Sequence, residues 1–85
     1  MFIKVETASY LGDYKLELHF SDGSHGVIDL KQELWGEIFE PLKKIDLFKK
    51  FYIKNGTIEW PNGADMAPEF LHQEAMKNKI ETVED

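Results

Sequence analysis

Two imidazoles and a carboxylate fall close together at His19, Asp22 and His25, a donor set that can hold a divalent ion when spacing puts all three on one rigid face. Here they flank the turn-forming run Ser21-Asp22-Gly23-Ser24, and no H-x-x-x-H or H-E-x-x-H spacing sets the imidazoles one helical turn apart. Exposed strand histidines are therefore expected, with Asp22 shaping the turn, and no metal ligand is assigned. His72 lies between Glu69 and Glu74 on what reads as a solvated helical face. Ser9, Ser21 and Ser24 lack a nucleophile-elbow context, and nothing in the spacing places a base against them. No catalytic or cofactor-binding residue follows, and an enzyme is the less expected class.

The run Trp60-Pro61-Asn62-Gly63-Ala64-Asp65 holds more special residues than a plain connection needs. Pro61 stiffens the exit from a strand, Gly63 permits a backbone conformation closed to other residues, and Asp65 could cap the helix that follows, with Ala67 before Pro68 as a competing cap position. A backbone N–H nest for an anion is the functional counterpart, but Asp65 would repel that anion. A small-ligand site or enzyme built on this loop would use Asn62 and Asp65 as polar groups and Trp60 as a stacking wall. The aromatic set Tyr10, Tyr14, Trp35, Tyr52 and Trp60 is the third group. Tyr10 and Trp35 fall in irregular segments and are the candidates for exposed interface anchors, against the alternative that they close over the core edge.

The elements that must position these groups are legible from hydrophobic periodicity. Residues 2 to 7 read as a strand, with Ile3 and Val5 on one face, before turn-like SYLGD at 9 to 13. From 14 to 20, Tyr14, Leu16, Leu18 and Phe20 alternate strictly with Lys15, Glu17 and His19, so one face meets the core and the other water. The Asp22-Gly23 turn then predicts a hairpin into a strand at 25 to 30, making an antiparallel three-strand meander.

Between 31 and 51 the period of two is lost, and Leu34, Ile38, Leu42, Ile45, Phe48 and Phe51 recur at helical steps. Gly36 and Pro41 break this stretch, Pro41 disfavouring helix at Glu40, so two or three short turns are expected, the last from Leu47 to Lys50 with Asp46 as its N-cap. Asn55-Gly56 predicts a second hairpin with a two-residue turn. Its pairs are Lys54/Thr57, Ile53/Ile58, Tyr52/Glu59 and Phe51/Trp60, with Ile53/Ile58 and Phe51/Trp60 on the apolar face. Pro68 opens a C-terminal helix from about 67 to 77 with an apolar stripe at Phe70, Leu71 and Ala75. The expectation is one small α+β domain over residues 1–78 and a frayed acidic tail at 79–85.

At 85 residues the chain holds one modest core. It has no cysteine, which excludes disulfides and thiolate sites and fits a reducing cytoplasm. No apolar run approaches the ~20 residues of a membrane span and the start lacks a secretion signal, so no membrane association is expected. The formal charge is −6, and all ten basic residues are lysines. Without arginine the bidentate fork that grips phosphates and reads guanine is missing, and the one lysine cluster, Lys43, Lys44, Lys49 and Lys50, is interrupted by Glu40 and Asp46. Nucleic acid is a poor expectation for this domain alone, and net acidity favours a basic protein partner. Self-association through an exposed strand edge stays open.

FSDG at 20 to 23, IFEPLKK at 38 to 44 followed by LFKKF, and above all IEWPNGADMAPEFL at 58 to 71 resemble, in order and spacing, the small bacterial family called domain of unknown function 2442. The likeness runs from about Lys4 to His72. It implies a compact α+β fold and carries over no catalytic residue. Members are often encoded beside another small protein in an arrangement like that of toxin–antitoxin pairs, and some carry a helix-turn-helix domain after this one. No such domain follows within these residues, so direct operator binding is not expected. What the resemblance implies, joined to the charge, is a protein-interaction module, the antitoxin-like or regulatory member of a two-protein pair.

Overall fold

The computed structural model describes the backbone of residues 2–84 and the side chains of residues 2–77. Strict alternation makes Lys15–Phe20 the central strand, β2, between β1 (Val5–Gly12) and β3 (His25–Asp29) in an antiparallel meander. Leu16, Leu18 and Phe20 are buried, and Lys15, Glu17 and His19 line the outer face. Register carries the same split into β3, where Leu16 faces Ile28 and Leu18 faces Gly26 on the core side, while Glu17 faces Val27 and His19 faces His25 outside.

β1 is longer than its sequence suggests, and the first turn is Asp13-Tyr14, not 9 to 13. Val5 pairs with Phe20 but Thr7 with His19, so Glu6 is an extra residue on β1, a β-bulge. The bulge shifts the phase of alternation, which lets Val5 and then Ala8 and Tyr10 all turn toward the core. A reading that requires unbroken alternation ends the strand too early. Asp13 and Tyr14 both have positive φ, 53° and 65°, as a two-residue hairpin turn requires. For tyrosine that conformation is costly, and it is held by the Tyr14 ring against Phe48 and by its hydroxyl donating to the Lys43 carbonyl.

The region from 31 to 51 forms three short turns: 3-10 turns at Lys31–Glu33 and Glu40–Lys43, and α1 (Ile45–Phe48). Leu34, Leu42 and Phe48 enter the core, but Ile38 is exposed, because three- and four-residue spacing keeps to one face only along a continuous helix. Pro41 is the second residue of the second turn and does not exclude Glu40 from it, since proline is tolerated in a first turn. α1 begins two residues earlier than expected, with Lys44 at its N-cap position, so Asp46 sits inside the first turn and caps nothing.

β4 (Tyr52–Lys54) and β5 (Thr57–Glu59) form the second hairpin, with Tyr52 opposite Glu59, Ile53 opposite Ile58 and Lys54 opposite Thr57, as predicted. Asn55 and Gly56 supply its two positive-φ positions. The shared apolar face holds only in part: Ile58 and Trp60 are buried, whereas β4 is an exposed edge on which Ile53 remains 39% accessible. The Val5 amide donates to the Gly56 carbonyl and the Ser21 amide to the Lys4 carbonyl, each at 2.8 Å, which ties both hairpins to the start of β1.

α2 (Pro68–Glu84) runs further than the predicted 67 to 77; its Ala75 lies against Gly26 of β3, and its Leu71 is buried in the core. The acidic tail expected at 79–85 lies outside the residues whose side chains are described. One core draws on all of these parts: Leu18 and Ile28 from the sheet, Leu42 and Phe48 from the turns, Ile58 and Trp60 from the second hairpin, and Leu71 from α2. The architecture is a small α+β domain. Among the described residues no helix is long and apolar enough to cross a membrane.

Candidate functional site

The Trp60–Asp65 loop is built as a structural knot. The Trp60 amide donates to the Ala64 carbonyl at 2.8 Å and the Gly63 amide to the Trp60 carbonyl at 2.9 Å, closing a turn in which Gly63 takes a φ of 93°. Asn62 Oδ1 accepts the Ala64 amide while Asn62 Nδ2 donates to the Ile38 carbonyl, so this side chain pins the loop to the preceding turns. Trp60 is fully buried, and its Nε1 donates to the Phe48 carbonyl at 2.8 Å. A ligand would find no indole face to stack on, which removes the wall that a small-ligand site here would need. Helix α2 begins at Pro68, and the Ala67 carbonyl accepts the Leu71 amide. Ala67, not Asp65, therefore holds the cap position.

The trio His19, Asp22 and His25 does not assemble. Asp22 Oδ1 accepts the Ser24 amide at 3.0 Å and the Ser24 hydroxyl at 2.5 Å, and its Oδ2 lies 3.3 Å from His72 Nε2. Ser24 Oγ is also 3.2 Å from that same nitrogen, and the His72 ring stands edge-on to Phe20. Serine, histidine and aspartate thus meet, which sequence spacing had no means of showing because His72 is 48 positions from Ser24. The geometry is not that of a hydrolase. A triad needs the carboxylate on one ring nitrogen and the nucleophile on the other, and here both crowd Nε2. The cluster instead latches α2 to the β2–β3 turn.

The latch has a pH signature. Hydrogen bonds from the Ser24 hydroxyl and amide, and then the nearby His72, hold the Asp22 carboxyl below the usual range. A group whose pKa is depressed in the folded state stabilises the fold above its unfolded pKa, and that contribution is lost as pH falls through the folded value. Wild type is therefore expected to exceed Asp22→Asn in urea midpoint at neutral pH, the gap closing as pH drops below about 4. Midpoints measured from pH 7 to pH 2 check this, and a gap independent of pH would remove the latch.

On the outer face of the meander His19 and His25 stack, with ring centroids 5.0 Å apart and planes 19° from parallel. Their carboxylate neighbour is Glu17, whose Oε2 lies 3.9 Å from His19 Nε2.

Of the two aromatics singled out as exposed, Trp35 is 73% accessible, while Tyr10 is half-buried, edge-on to Phe48 and beneath the Lys49 ammonium. Trp35 stands at a cleft of about 270 Å³ lined also by Phe39, Met66, Ala67, Phe70, Glu33 and Asp65. The 3-10 turn at Lys31–Glu33, the loop after Gly36 and the entry to α2 bring these together, and exposed Glu37 and Glu69 adjoin it in sequence. The volume is below the roughly 300–1,000 Å³ of small-molecule pockets, so the cleft suits one or two anchoring side chains better than a whole ligand. A second hollow, about 200 Å³ and mainly apolar, lies between Pro41, Leu42, Leu47, Lys50, Pro61 and Asn62.

A family model described as Protein of unknown function (DUF2442) matches residues 5–76, and the chain belongs to that family. No curated protein and no solved structure matches it.

Proposed function

We propose that this member of the DUF2442 family is a cytoplasmic protein-interaction module, the antitoxin-like or regulatory partner in a two-protein pair, and that it receives a basic protein at the Trp35 cleft. The observation that carries this is Trp35 itself. A tryptophan left 73% accessible beside an apolar cleft is uncommon on a small domain, and tryptophan is the residue most enriched among interface anchors. Glu33 and Asp65 line the same cleft on a chain of charge −6, so the complementary occupant is an apolar side chain flanked by lysine or arginine.

Pull-down with the product of the neighbouring gene, at low and high salt, tests this. Trp35→Ala is expected to weaken capture by about thirtyfold, the factor that corresponds to a 2 kcal/mol anchor. Glu33→Lys with Asp65→Lys is expected to weaken it further at low salt and to reduce its salt dependence. Because Trp35 is exposed, its removal should leave the urea midpoint within about 0.5 kcal/mol of wild type. Equal capture by wild type and Trp35→Ala would sink the assignment.

A further inference from the structure

We propose that Glu17, His19 and His25 form a binding site for a divalent d-block ion such as Zn²⁺ on the outer face of the meander. The site shares no residue with the Trp35 cleft and does not depend on the interaction proposed there.

Strand geometry places the three ligands. Glu17 and His19 are two positions apart on β2 and so project from one face, and His25 is the residue directly opposite His19 on β3. One donor atom from each side chain lies within 4.8 Å of the others. A tetrahedral zinc with ligands at 2.0–2.1 Å keeps its donors about 3.4 Å apart, so closure needs the donor atoms to move together by about an ångström through side-chain rotation. His19 and His25 are exposed and Glu17 is half-exposed, so such rotation gives up only the surface stacking of the two rings and leaves the core packing untouched. The backbone need not move, because the β2–β3 ladder already fixes the Cβ positions.

Chemistry narrows the ion. Two imidazoles and one carboxylate suit zinc, nickel or copper, whereas magnesium and calcium demand all-oxygen shells. Three protein donors leave a coordination position for water. The bland alternative is a stacked histidine pair with an exposed Glu17–His19 ion pair worth about 0–1 kcal/mol. It accounts for each contact singly, whereas an ion accounts together for three donors of metal-binding type lying within 4.8 Å of one another. Sequence spacing set Asp22 beside the two histidines and assigned no ligand. The structure commits Asp22 to Ser24 and His72, and the two-residue strand period supplies Glu17 instead.

Calorimetric titration of the full, tag-free chain with ZnCl₂ tests the site, with histidine side-chain NMR on the same sample to locate the ion. One zinc per chain is expected, shifting the His19 and His25 ring resonances and leaving His72 in place. His19→Ala and His25→Ala should each weaken binding at least about tenfold, and Glu17→Gln should weaken it less, as expected of ligand removal and ligand neutralisation respectively. His72→Gln should match wild type. Circular dichroism should show the variants, altered only on the outer face, to be folded like wild type. No heat at about 100 µM zinc, a mid-range test concentration for an exposed site, would overturn the proposal. So would undiminished binding by the His19→Ala/His25→Ala double variant, or zinc-induced shifts confined to other residues.

Discussion

Replacing Trp60 by alanine is expected to leave little folded protein at 25 °C. The indole is fully buried, against Phe48 at 5.8 Å and Phe39 at 6.3 Å between ring centroids, and its Nε1 satisfies the Phe48 carbonyl. Truncating a buried aromatic to alanine costs about 3–5 kcal/mol, and the abandoned carbonyl adds about 1–3 kcal/mol. A chain of 85 residues has about 4–13 kcal/mol in total at the usual stability per residue, so the loss consumes most of it. Trp60→Phe separates the two contributions, since it keeps a ring and loses the N–H, and should cost about 1–3 kcal/mol. Urea unfolding followed by circular dichroism measures both variants. A wild-type midpoint for Trp60→Ala would mean that the core is not organised around this residue.

Gly26→Val is expected to unseat α2. A Cβ built at Gly26 would lie 2.8 Å from the Ala75 carbonyl oxygen and 3.1 Å from Ala75 Cβ. Gly26 is not among the positive-φ glycines, so the backbone of β3 does not require glycine for its conformation. The close approach of the helix does. At a position where alanine fits, replacing glycine stabilises a protein by about 0.4–1 kcal/mol through the unfolded state, and here even Gly26→Ala should reverse that sign. Overpacking costs about 1–3 kcal/mol, and valine belongs at the upper end because its branch also meets the helix. Adding Ala75→Gly should recover little, because the nearer obstacle is backbone oxygen. Hydrogen exchange in α2 and urea midpoints report the outcome, and a Gly26→Ala variant as stable as wild type would show that the helix stands further off.

The two positive-φ hairpin turns show why some sites could be read from sequence and others not. Asn55-Gly56 names its own conformation, since both residues tolerate positive φ, and the register of the second hairpin follows from that pair alone. Asp13-Tyr14 adopts positive φ as well, yet tyrosine does not advertise it. The turn exists because Tyr14 finds Phe48 and the Lys43 carbonyl, both distant in the chain. The ligand-loop residues divide in the same way. Trp60, Pro61, Asn62, Gly63 and Asp65 announce a special connection, but whether the indole faces solvent or core depends on where α1 and its Phe48 carbonyl arrive.

By itself the sequence determined the α+β class, the meander with Leu16, Leu18 and Phe20 turned inward, the second hairpin and the C-terminal helix, because each rests on a period or turn preference spanning a few neighbouring residues. Tertiary structure alone decided that Asp22 meets His72, that Glu17 joins His19 and His25, that Gly26 is where α2 touches the sheet, and that Trp35 stays outside while Trp60 goes in. Those outcomes depend on which elements come to lie side by side. Local periodicity carries no information about such pairings, because the free energy that selects them is gained only when surfaces far apart in the chain are buried together.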